Sequence, residues 1–216
     1  MSKPGGAAVD PLELVSAYGV DALRWWLLRD VPRVGDADFT VERLVARHDD
    51  ELANGLGNLV NRVVGMVHRY RDGSVPSARD PEPDAVRRRA PGAVAEALDA
   101  FDFRRATGVV YGVVEAANRY VSQVRPWQLA REGSPRLDPV LGTLVETCRE
   151  PAGLLAPFLR GAAARIAVQC AGTTGSPGSP GTPGTPGTPG DRLPEPVPLF
   201  PRLAGRAQTS GPAQSW

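Results

Sequence analysis

Hydrophobic residues recur at spacings of three and four along residues 10–171, which is the period of an amphipathic α-helix. The clearest pattern runs from Glu51 to Tyr70. One face of this stretch is apolar and comprises Leu56, Leu59, Val60, Val63, Val64, Val67 and Tyr70. The opposite face carries Asn58, Arg62, Gly65 and Arg69. We therefore predict a long helix that begins at Thr40, ends near Tyr70 and is stopped by Asp72-Gly73.

The same period predicts further helices on both sides of this one. Asp10 and Pro11 are an N-cap and a first-turn proline for a helix with the apolar stripe Leu12, Leu14, Val15 and Tyr18. A second helix is predicted from Asp21 to the Val31-Pro32 step. Later helices are predicted over residues 84–98, 102–124, a short stretch from Pro126, 137–155 and 157–169. The inward face of residues 102–124 is predicted to be Phe103, Ala106, Val110, Val113, Val114 and Ala117.

No segment alternates apolar and polar residues as a strand would, so the fold class is all-α, a bundle of five to seven helices. We divide the chain into an irregular start (1–9), a helical domain (10–171), a low-complexity linker (172–195) and a C-terminal tail (196–216). The linker repeats Gly and Pro with Ser or Thr and cannot offset its ordering entropy by apolar burial. Apolar residues return in the tail, at Pro198-Leu199-Phe200-Pro201-Arg202.

Composition narrows the functional classes. The 216 residues include 25 Lys and Arg and 24 Asp and Glu, a net charge of +1, so any nucleic-acid site must be local. Cys148 and Cys170 lack metal-ligand spacing, and we expect buried free thiols, no metal site and no bound cofactor in this chain. No apolar run reaches the roughly 18 residues that cross a membrane. We expect a cytoplasmic protein without a membrane or DNA partner.

Three residues carry the candidate chemistry. Asn58 and Arg62 lie one helical turn apart, so an amide and a five-donor guanidinium share one face and can read a base edge. Trp127 follows Pro126 on a later helix and can stack on an unpaired base. Alone, an Asn/Arg pair on a helix is usually a solvated face, and only the joint pattern with Pro126-Trp127 favours a nucleic-acid site. Four arginines could flank this site: Arg69, Arg71, Arg119 and Arg125.

Other polar groups are interpreted as structural. His48, Asp50 and Glu51 are predicted to be solvated charges on different sides of an exposed helix. Trp25 and Trp26 are predicted to pack between helices. The run Arg87-Arg88-Arg89 is predicted to be a charged helix surface, with phosphate contact as the alternative.

These motifs resemble the methionyl-tRNA synthetase family, which belongs to class I. The helix with Asn58 and Arg62 resembles the family's anticodon-reading helix, and Trp127 matches the Trp that stacks on the anticodon. The string Asp21-Ala22-Leu23-Arg24 is common to several class I synthetases with helical anticodon-binding domains. Residues 121–133 and 150–169 also fit the family closely. The resemblance implies a bundle of the class I anticodon-binding type, with the segment 198–202 packed back on it.

The resemblance also implies that catalysis and tRNA binding belong to different domains of the family's enzymes. Met1-Ser2-Lys3 is similar to the middle of the family's KMSKS loop, so Lys3 is a weak match to a lysine that contacts ATP. The family's nucleotide-binding domain, with its HIGH motif, is absent from this sequence. We therefore expect a domain that binds methionine tRNA with a CAU anticodon. The full-length family ligates methionine to tRNA with ATP, and we expect this chain to be inactive in that reaction by itself.

Several settings remain open for such a chain. It could pair with a separate catalytic half, act as a stand-alone tRNA-binding paralogue, or be a gene fragment. A different class of function is a helical protein-interaction module that has lost its RNA. The Trp25-Trp26 pair and the 198–202 segment would then be the surfaces that meet a protein partner.

Overall fold

The computed structural model describes residues 9–80, 84–172 and 192–204, with the side chains of 84 and 85 left out. Within these ranges the chain is helical, without strands, and a single isolated bridge pairs Ser74 with Arg192. The α-helices are α1 (Pro11–Tyr18), α2 (Val20–Asp30), α3 (Val41–Arg47), α4 (Asn58–Arg71), α5 (Asp84–Asp99), α6 (Phe103–Val124), α7 (Pro126–Arg131), α8 (Leu137–Leu155) and α9 (Arg160–Cys170). The all-α class is confirmed, but these ranges hold more helices than the five to seven expected.

The helix ends follow the local signals closely. Leu12 donates its backbone N–H to the Asp10 carboxylate at 2.8 Å, so Asp10 caps α1 as predicted. The hydroxyl of Thr40 caps α3 by accepting from the Arg43 N–H at 3.2 Å. At the end of α4, Asp72 takes a left-handed conformation with φ of 49°, which ends the helix where predicted. The last helix begins at Arg160 rather than at Pro157.

The predicted long helix is present but is not α-helical throughout. A π-helical segment, His48–Gly57, joins α3 to α4, and its wider turn changes which side chains face the core. Its buried polar residues are His48, Asp49 and Glu51. The prediction that His48 and Glu51 are solvated was therefore wrong.

The main core is formed by α4, α6, α8 and α9, whose inward residues are almost fully buried. The predicted apolar face of α4 is buried from Leu59 to Val67, with Tyr70 half-buried at its end. Two predicted core positions are wrong. Leu12 is 76% exposed and Phe103 is 45% exposed, and both lie in the first turn of their helix.

The C-terminal strap, residues 192–204, packs against the bundle. It includes the segment 198–202. Leu193, Leu199 and Phe200 are buried in the main core. Leu203 joins a second cluster with Ala22, Trp26, Leu44 and Val45. The strap thus binds the two ends of the described chain together, since α2 and α3 contribute that second cluster.

Two predictions from composition concern a membrane-spanning helix and the state of the two cysteines. Among the described residues, no helix combines the length and hydropathy that a membrane span needs. Cys148 and Cys170 are both buried and free, as expected.

Candidate nucleic-acid interface

The exposed face of α4 carries the first two candidate residues. Asn58 is the first residue of α4 and Arg62 follows one turn later, and both are exposed. Gly65 and Arg69 continue the same face over the next two turns. The opposite face, from Leu59 to Val67, is buried and fixes the rotation of the helix.

Arg62 is held in place by an amide on α6. Its Nη2 donates to Asn118 Oδ1 at 2.9 Å. The Asn118 Nδ2 group in turn donates to the carbonyl oxygens of Gly55 at 3.2 Å and Val114 at 3.1 Å. The Arg62 guanidinium is therefore oriented by a side chain that is itself fixed to two helices.

Arg62 is also a partly desolvated cation. Burial lowers the pKa of Arg62 from its usual value, and the nearby Cys148 opposes this shift. The half-buried arginines have carboxylate partners, as in Arg29 with Glu51 at 2.8 Å and Arg87 with Glu150 at 3.5 Å. Among the described residues Arg62 has only the neutral Asn118 amide. A cation in this setting is suited to an acceptor from a ligand.

Trp127 lies on α7, immediately after the end of α6. Arg125 takes a left-handed conformation with φ of 50°, which turns the chain between the two helices. Pro126 is buried at the first position of α7 and Trp127 is 40% exposed. In the described part of the chain, Trp127 makes no hydrogen bond and no ring contact, so one side of its indole is available for stacking.

The structure brings Asn58 and Arg62 together on one face and places Trp127 on a separate element. Asn118, which bonds Arg62, lies on α6, the helix that leads to α7. Sequence reasoning missed Asn118. It follows Val110 and Val114 at spacings of four, so a polar residue in an inward stripe was the available signal.

The flanking arginines divide into two groups. Arg71 pairs with Asp138 and is committed to the fold. Arg69, Arg119 and Arg125 are exposed, and the Arg69 guanidinium lies 5.8 Å from the centre of the Tyr70 ring. Arg69 shares the α4 face of Arg62, whereas Arg119 follows Asn118 on α6.

Glu51 is the centre of a buried polar cluster that has a structural role. Glu51 accepts from Trp25 Nε1 at 2.7 Å, from Arg29 Nη2 at 2.8 Å and from Arg47 Nη1 at 2.7 Å. Burial alone would raise the pKa of Glu51, but the bonds from Arg29 and Arg47 lower it below its usual value. A carboxylate with a lowered pKa and three hydrogen-bond donors around it holds α2 and the His48–Gly57 segment together.

The remaining predicted positions add no second site. Lys3 lies outside the described residues. Within the described ranges no group of His, Cys, Asp or Glu could hold a metal ion. Trp25 and Trp26 are buried between helices, as predicted.

Comparison with known proteins agrees with this architecture. The family model described as tRNA synthetases class I (M) matches residues 1–64. Methionine–tRNA ligase of Caldanaerobacter subterraneus subsp. tengcongensis is 40% identical over 166 residues, which are 74% of this chain and 26% of that protein. Methionine–tRNA ligase 1 of Bacillus cereus is 37% identical over 177 residues, 78% of this chain and 27% of that protein.

The solved structures extend the likeness to the fold. The apo form of Mycobacterium tuberculosis methionyl-tRNA synthetase superposes with a TM-score of 0.78 at 32% identity, covering 90% of this chain and 41% of that one. The same enzyme bound by methionyl-adenylate gives a TM-score of 0.77 at 33% identity, covering 93% of this chain and 41% of that chain. The chain is therefore similar in sequence and fold to methionyl-tRNA synthetases, and it spans about a quarter of the length of the curated relatives it matches.

Proposed function

We propose that this chain binds tRNA and recognises the CAU anticodon of methionine tRNA through Asn58, Arg62 and Trp127. The observation that supports this best is the state of Arg62. Its guanidinium is oriented by Asn118, partly desolvated and without a carboxylate among the described residues, on an exposed face. Such a group has donors that the fold leaves for a ligand.

The proposed mechanism is recognition of an unpaired loop. Trp127 stacks beneath one base and contributes about 1–3 kcal/mol of binding free energy. Asn58 and Arg62 bond the edges of neighbouring bases and contribute about 1–3 kcal/mol of discrimination for a good bidentate contact. Exposed arginines such as Arg119 and Arg125 bind phosphates and make the affinity depend on salt.

The proposed role in catalysis is indirect. The relatives are named methionine–tRNA ligases, and this chain matches about a quarter of their length. We propose that it supplies tRNA binding and that ATP is used by a catalytic part, on a separate chain or on further sequence. Lys3 has no assigned role in this proposal.

The protein-interaction alternative has less support. It depended on Trp25, Trp26 and the 198–202 segment as exposed apolar surfaces. Both tryptophans are at most 3% exposed, and Leu199 and Phe200 are at most 7% exposed. These side chains are engaged within the chain itself.

The test is a comparison of two substitutions on the α4 face. We expect Arg62→Ala and Asn58→Ala to lower affinity for methionine tRNA and to reduce the preference for CAU over a changed anticodon. Arg104→Ala, at an exposed arginine near the beginning of α6, is the matched control and should leave that preference unchanged. If both α4 variants keep the full preference, the proposed reading of the anticodon is wrong.

A further inference from the structure

Exposed apolar side chains are concentrated in two stretches of the chain. Of the eleven large hydrophobic residues that are exposed in the described part of the chain, seven lie in residues 9–34 and 101–103. Single exposed apolar residues are ordinary on a protein surface, whereas a cluster of them marks a place where another molecule binds. The contacts between the two stretches therefore decide what these residues mean.

The end of α2 lies beside the beginning of α6. The Thr107 hydroxyl on α6 lies 3.3 Å from the carbonyl oxygen of Leu28 and 2.8 Å from that of Phe103. Arg33 Nη1 donates to the Ala100 carbonyl oxygen at 3.1 Å, which holds the loop after α2 against the turn before α6. The exposed side chains of the two stretches are therefore neighbours.

Five of these side chains form what we call the docking surface. Val20 and Leu27, two helical turns apart on one face of α2, are 43% and 46% exposed. The other members, on the loop after α2 and around the turn before α6, are Val34, Phe101 and Phe103, and all three are exposed. Within the described ranges no element covers this surface.

Phe101 is presented to solvent by a strained backbone. Its φ is 54°, a left-handed conformation at the end of α5, and its side chain is 72% exposed. Glycine is the usual residue at such a helix end, because a residue with a Cβ is strained at positive φ. An exposed ring on a strained residue does little for the fold, and such an outlier points to a function in binding.

The solved relatives indicate what kind of partner fits. This chain covers 41% of Mycobacterium tuberculosis methionyl-tRNA synthetase, so more than half of that enzyme lies outside the superposed part. The docking surface lies at the beginning of α6, and Trp127 follows the end of this helix of 22 residues, roughly 33 Å away. A protein bound to the docking surface would leave the proposed RNA face open.

We infer that the docking surface binds the catalytic part of a methionyl-tRNA synthetase, on a separate chain or on further sequence. This inference rests on the proposed function, since it takes the catalytic part named there as the partner. Arg24 is exposed between Val20 and Leu27 on the same face of α2. The partner's surface is therefore apolar, with a carboxylate opposite Arg24.

The first experiment measures the Kd between the whole chain and the part of Bacillus cereus methionine–tRNA ligase 1 that it does not match. That part is produced separately and is shown to be folded by its own thermal transition. We expect Leu27→Asp and Arg24→Glu to raise the Kd by about tenfold or more. Val86→Asp is the matched control, because Val86 is 48% exposed but lies near the beginning of α5.

Phe101→Gly distinguishes docking from a structural role. We expect it to raise the Kd by about tenfold or more and to raise Tm, because glycine relieves the strain at positive φ. A residue that served only the fold would not weaken docking while the chain became more stable. An unchanged Kd in both Phe101→Gly and Leu27→Asp, or no binding by the unsubstituted chain, would overturn the docking surface.

A chimera needs no isolated part. In it, this chain replaces the matched quarter of the whole Bacillus cereus enzyme. We expect one thermal transition, because docked parts unfold together, and two transitions after Leu27→Asp. The same transitions with and without Leu27→Asp would contradict docking through this surface.

Methionine tRNA separates this inference from the proposed function. Leu27→Asp should keep the CAU preference of the unsubstituted chain, because Leu27 lies on α2 and not on the exposed face of α4. A CAU preference without partner binding would overturn the docking surface alone. Partner binding without a CAU preference would overturn the proposed reading of the anticodon alone.

Discussion

At Arg62 the fold places a partly desolvated cation beside an amide, where the half-buried arginines have a carboxylate. Asn118 accepts from Arg62 at 2.9 Å and is fixed by the Gly55 and Val114 carbonyl oxygens. An amide orients the guanidinium without neutralising it, so the remaining donors keep their full charge for a ligand.

Substitution of Asn118 tests this role. We expect Asn118→Asp to weaken tRNA binding more than Asn118→Ala, because a carboxylate would form an ion pair with Arg62 and compete with the RNA. The measurement is the dissociation constant for methionine tRNA, with Tm as the check on folding. If Asn118→Asp binds as well as the unsubstituted chain, Arg62 does not contact RNA through the donors left free by Asn118.

Trp127 offers a second test at the residue scale. We expect Trp127→Ala to cost about 1–3 kcal/mol of binding free energy through lost stacking, and Trp127→Phe to retain part of it. Phe103→Ala is a suitable control and should leave the affinity unchanged. Phe103 is 45% exposed, close to the 40% of Trp127, but it lies at the beginning of α6, whereas Trp127 follows the end of that helix. Full affinity in Trp127→Ala, measured by fluorescence titration of labelled tRNA, would contradict the stacking role.

The exposed candidates were predictable and their supporting partner was not. The helical period alone puts Asn58 and Arg62 opposite the apolar stripe, and the structure agrees. Asn118 lies 56 residues from Arg62 in the chain, so their contact depends on how α4 packs against α6. Local pattern carries no information about such a pair.

At the scale of elements, the π-helical segment explains the largest difference between expectation and structure. Local propensity favours an α-helix over residues 40–70, and the helix is continuous. Its wider turn directs Glu51 toward Trp25 and Arg29 on α2, which an α-helical register read from the sequence had placed in solvent. The tertiary ion pairs stabilise a local geometry that propensity disfavours.

The ties made by Glu51 predict a large effect on stability. We expect Glu51→Gln to lower the free energy of unfolding by about 3 kcal/mol, because it leaves the partly buried Arg29 guanidinium without a carboxylate and removes one of the two carboxylates that Arg47 binds. Glu96→Gln is the control, since Glu96 pairs with Arg105 at 3.3 Å on the surface with side chains 72% and 53% exposed. Loss of the Glu96–Arg105 pair should change the free energy of unfolding by less than about 1 kcal/mol. Urea unfolding checks both, and equal effects would contradict the structural role of Glu51.

At the scale of the whole molecule, the C-terminal strap closes the fold through Asp49. The Asp49 carboxylate accepts from the backbone N–H groups of Leu203 at 2.8 Å and Ala204 at 3.0 Å. Burial raises the pKa of Asp49, but these bonds and the contact with His48 outweigh it and lower the pKa below its usual value. The docking of this segment, implied by resemblance, depends on contacts far apart in the chain and so had no local signal.

This geometry predicts a pH dependence. Because the folded-state pKa of Asp49 is depressed, its stabilisation is present at neutral pH and is lost as the pH falls through that value. We expect Asp49→Asn to destabilise the chain at neutral pH, and the difference from the unsubstituted chain to shrink as the pH falls below the ordinary pKa of an aspartate. Urea unfolding across this range measures it, with Asp36→Asn as an exposed control. A difference that stays constant would show that the Asp49 charge does not hold the strap.

The central claim concerns the whole molecule and its RNA. The most direct measurement is the affinity of the complete chain for methionine tRNA relative to the same tRNA with its CAU anticodon changed, at one fixed salt concentration. We expect a preference of at least tenfold for CAU, which is what one good base contact provides. Equal affinity for the two RNAs, or no binding to either, would contradict anticodon recognition by Asn58, Arg62 and Trp127.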